Sequence, residues 1–217
     1  MSFIVKITTK SPILDLFCPF HCKKCGHLGR PLCECCKKYI TGQSSKSHQL
    51  QDFVDCCEGW TCGWRDEIPG QLAQDYKYHS TRAIGPILAE LLAAIIPDLG
   101  PDVIIVPLPT NTKHIRERGF DHTQKIAKYL ARLRNWQYQP ILRREQNTVQ
   151  VGTSLNERHQ QAECAYSLNP KFKIDPTKTY LLLDDIVTTG ATILAATDLL
   201  KNKKAHKIYA ATIAVSR

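Results

Sequence analysis

One short run of the chain, LLLDDIVTTGAT at residues 181–192, concentrates groups that can hold a phosphorylated sugar. Asp184 and Asp185 close an apolar run that reads as a strand. Val187, Thr188, Thr189, Gly190, Ala191 and Thr192 then lead into a helix. The first backbone N–H groups of a helix lack intrahelical partners and form a ready anion site. Gly190 lets the backbone curl closely round a phosphate, and the threonine hydroxyls add donors. Two adjacent carboxylates beside such a cradle make no sense for phosphate alone. They suit a ligand that also offers hydroxyls or a metal, and a ribose 5-phosphate does so: phosphate in the loop, 2′- and 3′-hydroxyls on Asp184 and Asp185. A strand-to-helix turn in which Asp and Thr merely cap is the bland alternative, but a cap uses one such residue. Glycine-rich dinucleotide and P-loop patterns are absent.

A second group with chemistry lies near the start. Nine of the ten cysteines fall between Cys18 and Cys62, and only Cys164 lies beyond. The clearest set is Cys22-x2-Cys25 followed by Cys33-x2-Cys36. Two residues between thiolates let a tight turn aim both sulfurs at one ion, and two such turns complete a tetrahedral site suited to Zn²⁺. Gly26 after Cys25 fits the turn, because backbone N–H groups folding back toward sulfur need a permissive φ. Cys57-x4-Cys62-Gly63 is a looser knuckle that could replace one pair or hold part of a second zinc. Four thiolates leave no open position, so the expected role is scaffold. Lys23, Lys24, Arg30, Lys37 and Lys38 could give the same module phosphate contacts for nucleic acid.

The elements that must position these groups follow from periodicity. Ile84, Ile87, Leu88, Leu91, Leu92, Ile95 and Ile96 mark one face of a helix. Asp102 to Val106, bounded by Gly100-Pro101 and Pro107, reads as a strand buried on both faces. A second helix carries Ile126, Ala127, Leu130, Ala131 and Leu133. Ile141-Leu142 is read as the end of a short strand and Tyr180 to Leu183 as another buried one. Ile193 to Leu200 follows as a helix, and Ile208 to Val215 as a last strand. This alternation predicts an α/β fold, a parallel sheet flanked by helices, with ligands beyond the carboxyl ends of the strands. The polar stretch at 41–50 reads as a loop, and Pro69-Gly70 as a turn that divides a Cys-rich module at 1–68 from a larger domain at 69–217.

Composition bounds the rest. The chain has 217 residues and a formal net charge of +9, which points to polyanionic partners. A hydrophobic share of 43 % suffices for a sizeable core. No apolar run reaches the length of a membrane span, and none near Met1 suits a secretory signal, so a cytoplasmic location is expected.

Residues 181–192 resemble the phosphoribosyl-pyrophosphate (PRPP) motif of type I phosphoribosyltransferases. The Cys pairs, Tyr76-Lys77-Tyr78, VPLP at 106–109, RERGF at 116–120 and NER at 156–158 fall in the order of the ComF/GntX family. That resemblance implies a type I phosphoribosyltransferase-like domain behind a small zinc-ribbon-like module, in a cytoplasmic protein of DNA uptake. It implies that Asp184 and Asp185 hold the ribose hydroxyls and residues 188–192 the 5′-phosphate. Pro107, Leu108, Pro109 and Thr110 would form a pyrophosphate loop, with Arg116 and Arg118 neutralising charge and Lys77 in a hood over the base. Residues 143–162 would form a mobile catalytic loop with Arg143, Arg144, Gln150 and Arg158 as its candidates. Mg²⁺ would accompany PRPP. The chain departs from the family at Asp121-His122, where Asn-Gln is usual, and at His159-Gln160-Gln161.

Two functions follow as expectations. One is phosphoribosyl transfer from PRPP to an unknown acceptor base, with release of pyrophosphate. The other is non-catalytic single-stranded DNA binding by a competence factor that works with DNA-uptake proteins and keeps the PRPP site as sensor or scaffold.

Overall fold

The computed structural model describes residues 20–43, 50, 58–78, 81–111, 115–116, 119–145 and 166–216. Five parallel strands form the main sheet: β1 (Glu58–Thr61), β2 (Val103–Pro107), β3 (Gln137–Tyr138), β6 (Thr179–Val187) and β7 (Lys207–Val215), in the order β1-β7-β6-β2-β3. A separate antiparallel pair joins β4 (Leu142–Arg144) to β5 (Tyr166–Leu168). The helices are α1 (Glu34–Gln43), α2 (Ile68–Tyr78), α3 (Ile84–Ile95), α4 (His122–Arg134) and α5 (Ala191–Asn202).

The continuous apolar runs are buried on both sheet faces, as expected of parallel strands under helices. Val103, Ile105, Leu181, Leu183, Ala211 and Ile213 belong to the core shared with α2, α3 and α4. Their neighbours Ile104, Val106, Tyr180, Leu182, Ile208 and Ala210 belong to a second core with α5, β4 and β5. Successive side chains of a strand point to opposite faces, so each strand feeds both cores.

The strand order reverses between β2 and β6. The chain leaves β2 through α4 toward β3 on one side, and leaves β6 through α5 toward β7 on the other. A crevice at the carboxyl ends of these two neighbours is the expected binding place in an open α/β sheet. The Leu108 N–H donates to the Leu183 carbonyl at 2.9 Å, which carries the β2–β6 ladder to the rim of that crevice.

Three readings shift. Pro69-Gly70 is no turn between units but the first turn of α2, where proline's fixed φ and missing N–H are tolerated. Leu142 begins β4, and that strand stands apart from the parallel sheet. β6 also runs past Leu183 to Val187, held by pairings of Asp184 with Thr212, Ile186 with Ala214 and Val187 with Val215. Asp184 and Asp185 therefore sit within a hydrogen-bonded strand rather than at its end. β1, which precedes the expected division at 69, pairs with β7 of the main sheet, Glu58 opposite Tyr209.

Candidate functional site

The crevice is a cavity of about 590 Å³. Asp184 and Asp185 enter from β6, Leu108, Pro109, Thr110 and Asn111 from the segment after β2, and Thr192 from the start of α5. Lys77 and Tyr78 at the end of α2, His122 at the start of α4, Arg144 on β4 and Tyr166 on β5 complete the wall. Residues far apart in sequence thus meet at one sheet edge.

The two carboxylates live in different surroundings. Asp185 is 5 % exposed. Its Oδ2 accepts from Lys77 Nζ at 2.8 Å and lies 2.7 Å from His122 Nε2. Burial works against its ionisation, yet the contacts with His122 and Lys77 prevail and hold the carboxyl well below the usual carboxylate range. Asp184 is half-buried, and its Oδ1 accepts the Asp185 backbone N–H at 2.8 Å. Burial and the adjacent Asp185 charge push its carboxyl well above the usual range. The Thr212 hydroxyl donates to the Asp185 carbonyl at 3.0 Å and ties this strand segment to β7.

Second contacts fix the clamp on Asp185. Asp121 caps α4, accepting the Gln124 N–H at 3.0 Å, so the helix begins with His122 against the cavity. The Thr110 hydroxyl donates to Asp121 Oδ1 at 3.4 Å and ties the segment after β2 to the same cap. Tyr76 and Phe120 pack with ring centroids 5.4 Å apart. This aromatic contact joins the end of α2 to the approach to α4, next to Lys77 and His122. Phe120 is the core anchor its place beside Gly119 suggests.

The residues expected to cradle a phosphate follow a strand-loop-helix course. Val187 is a core residue, so only its backbone faces the loop. Thr188 and Thr189 are exposed, and Gly190 takes φ +74° as it enters α5, a left-handed conformation that suits glycine. The Ala191 N–H donates to the Thr189 hydroxyl at 3.4 Å. Of these residues, Thr192 reaches the cavity wall. Burial pushes the Tyr166 phenol up to about 12, and Thr192 is its side-chain hydrogen-bond partner.

The remaining expected residues divide. Lys77, Leu108, Pro109 and Arg144 line the cavity. Pro107 closes β2, buried in the sheet. Successive positions on β4 send Arg143 and Arg144 to opposite faces, and Arg144 is the one at the wall. Arg116 is exposed and is not among the wall residues. Arg118 and positions 146–162, with Gln150 and Arg158, lie outside the described residues.

His122 is a wall residue that sequence reasoning did not place in the site, as are Tyr78, Asn111 and Tyr166. His122 stood out only as a departure from the family pattern. The available signal was an imidazole at a helix start directly after the RERGF segment.

The cysteine cluster is a second, separate centre. The sulfurs of Cys22, Cys25, Cys33 and Cys36 all lie within 4.8 Å of one another. A tetrahedral zinc with sulfur at about 2.3 Å places its ligands about 3.8 Å apart, and Cys25 Sγ stands 3.7 Å from Cys33 Sγ. The Cys33 N–H points at Cys22 Sγ at 3.4 Å, and Gly26, at φ +73°, turns its N–H onto the Cys22 carbonyl. Donor type, spacing and turn geometry all fit Zn²⁺. Cys62 is buried in the main core and is not one of the four clustered sulfurs, and burial raises its thiol. Cys57 lies outside the described residues.

Four of the five basic residues of the knuckle are engaged within the chain. Lys23 pairs with Asp75 at 2.8 Å, Lys24 lies over the Tyr39 ring at 3.4 Å, Arg30 pairs with Glu34 at 2.9 Å, and Lys37 pairs with Glu34 and Glu90. Among the described residues no helix is long and apolar enough to cross a membrane.

Comparison with known proteins agrees with this architecture. Residues 115–217 match the phosphoribosyl transferase domain family. The chain is 27 % identical over 216 residues to "Competence protein F" of Haemophilus influenzae, covering 87 % of this chain and 92 % of that protein. The matched segment contains α4, β6 and α5, with His122, the two aspartates and the Thr188–Thr192 turn.

Proposed function

We propose that this chain, a ComF-family protein with a phosphoribosyltransferase-like domain, binds PRPP with Mg²⁺ in the cavity and transfers its phosphoribosyl group to a nitrogenous base. The observation that carries the reading is the paired carboxylates of Asp184 and Asp185, set at the switch point of a parallel sheet beside the Thr188–Thr192 turn. The α5 N-terminus and the Thr192 hydroxyl bind the 5′-phosphate. Asp184 and Asp185 bind the ribose hydroxyls. Leu108 to Asn111 turn their backbone to the pyrophosphate, and Arg144 adds positive charge. Carboxylate oxygens are the hard donors that suit Mg²⁺, which neutralises the leaving pyrophosphate when bound.

Catalysis in such a site is positioning and electrostatics. The C1–O bond to pyrophosphate breaks as positive charge develops at C1. The acceptor nitrogen forms the new bond, and pyrophosphate leaves with the electron pair. The family resemblance ties this proposed activity to DNA uptake in a cytoplasmic setting, and the relative's name, Competence protein F, supports a competence role. Binding of single-stranded DNA through Lys23, Lys24 and Arg30 draws less support, since each has an intramolecular partner.

Calorimetric titration of the zinc-loaded protein with PRPP, with and without Mg²⁺, tests the reading. Saturable binding that is lost in the Asp184→Asn/Asp185→Asn double variant is expected. No binding by the unaltered protein would sink the transferase reading and turn the search to single-stranded DNA and partner proteins.

A further inference from the structure

The two aspartates are neighbours in sequence but unequal in the fold, and the difference is made by residues from two other helices. Asp185 offers one oxygen, Oδ2, to both Lys77 of α2 and His122 of α4, at 2.8 and 2.7 Å. His122 is 2 % exposed. Among the described residues no such clamp holds Asp184, whose Oδ1 accepts the Asp185 backbone N–H.

We propose that Lys77 and His122 are positioning residues that lock Asp185 through Oδ2, fixing the β6 carboxylate pair so that Asp184 and the second oxygen of Asp185 meet the cis-diol of a ribose 5-phosphate group. The inference rests on the binding reading above and deepens it.

Three features support the lock. Lys77 follows Tyr76, whose ring packs on Phe120, and His122 follows the Asp121 cap, so both clamp residues sit beside anchored positions. The Thr212 hydroxyl holds the Asp185 backbone from the strand alongside. The groups that face Asp185 are then Lys77 from α2, His122 from α4, Asp184 on β6 and the uncharged Thr212 from β7. A charge-assisted contact to a carboxylate is stronger and more directional than a neutral one. The clamp holds a carboxylate that would otherwise turn away from its like-charged neighbour.

The test uses the full, zinc-loaded chain and His122→Ala, His122→Gln and Lys77→Met. His122→Gln keeps an N–H donor, and Lys77→Met sits at a partly exposed side chain, so at least one variant keeps the fold. Two readouts are combined. In the ligand-free protein, NMR titration of the Asp185 side-chain carbon reports the clamp. In the presence of Mg²⁺, affinities for ribose 5-phosphate and 2-deoxyribose 5-phosphate report recognition of the diol. The unaltered protein is expected to favour ribose by about tenfold or more, the worth of one charge-assisted hydrogen bond. His122→Ala and Lys77→Met are expected to move the Asp185 titration up toward the ordinary carboxylate range and to collapse the ribose preference. His122→Gln is expected to restore much of both.

An Asp185 titration unmoved by His122→Ala and Lys77→Met would overturn the clamp itself. A moved titration with an unchanged ribose preference would overturn the positioning role and leave the binding reading standing. Failure of the unaltered protein to bind either sugar phosphate, with an Asp185 titration that the variants still move, would overturn the binding reading and reduce the clamp to scaffold.

Discussion

The cysteine knuckle and the carboxylate cavity are both clusters of ionisable groups, built on opposite plans. The four sulfurs come from within fifteen positions, Cys22 to Cys36, and their turns are local. The cavity draws Lys77 against Asp185 across 108 positions and His122 against the same oxygen across 63. The knuckle gathers like groups that only a cation reconciles. The cavity balances Asp185 with its own cation and leaves Asp184 in tension with its neighbour. A closed thiolate set stabilises the fold; an unbalanced carboxylate keeps capacity for a ligand.

Metal removal tests that contrast most severely. Thiolate zinc in small modules supplies about 10–16 kcal/mol of apparent binding energy near neutral pH. Chelation, or Cys22→Ser with Cys36→Ser, is expected to unfold the knuckle and expose Leu32, seen as a lost thermal transition and released zinc. Cys62→Ser is expected to retain zinc. An unchanged melting temperature after chelation would break the contrast.

Next come the aspartates taken singly. Asp185→Asn leaves Lys77 facing a neutral amide in a buried site and is expected to cost about 3–5 kcal/mol. Asp184→Asn removes the strained carboxyl and is expected to raise stability at neutral pH by about 0.5–2 kcal/mol. The pH dependences have opposite sign. Asp185, held low in the fold, contributes stability above the unfolded carboxylate pKa of about 3.9, and that contribution is lost as pH falls. Asp184, held high, favours the fold in acid, and the favour is lost as pH rises; the advantage of Asp184→Asn therefore vanishes below about pH 4 and grows above it. Urea denaturation of both variants across pH checks the signs. Equal effects from the two substitutions would make the carboxylates interchangeable.

The smallest effect is expected where the two regions touch. Lys23 of the knuckle pairs with Asp75 of α2 at a half-exposed position. Lys23→Ala is expected to cost less than about 1 kcal/mol and to leave sugar-phosphate affinity unchanged. A larger loss, read by the same denaturation series, would show that the knuckle steadies α2, and with it Lys77.

What was legible in the sequence follows from range. The Cys pairs, the aspartates and the buried strands Val103–Val106 and Tyr180–Leu183 rest on local spacing or continuous apolar runs, and the fold keeps them. Helix α3 matched because its apolar face repeats without interruption. β1 escaped notice because four residues, EGWT, carry no pattern of their own and become a strand only beside β7. Pro69-Gly70 misled because the same dipeptide serves a turn or a helix start. β5 is three residues long and gains its strand character from pairing with β4. The roles of Lys77 and His122 toward Asp185 depend on which helices cross which strand, and spacing along the chain does not encode that. The different exposures of Arg143 and Arg144 to the cavity likewise needed the register of β4.

The pairing of β1 with β7 also constrains how the molecule is made. Glu58 finds its partner at Tyr209, 151 positions later. At about 5–20 residues per second of synthesis, that is a wait of roughly 8–30 s. During this time a nascent strand has emerged and its neighbour has not yet been translated. Among the described strands the sheet pairs its first with its last, so the ribosome must translate through Lys207–Val215 before that edge can close.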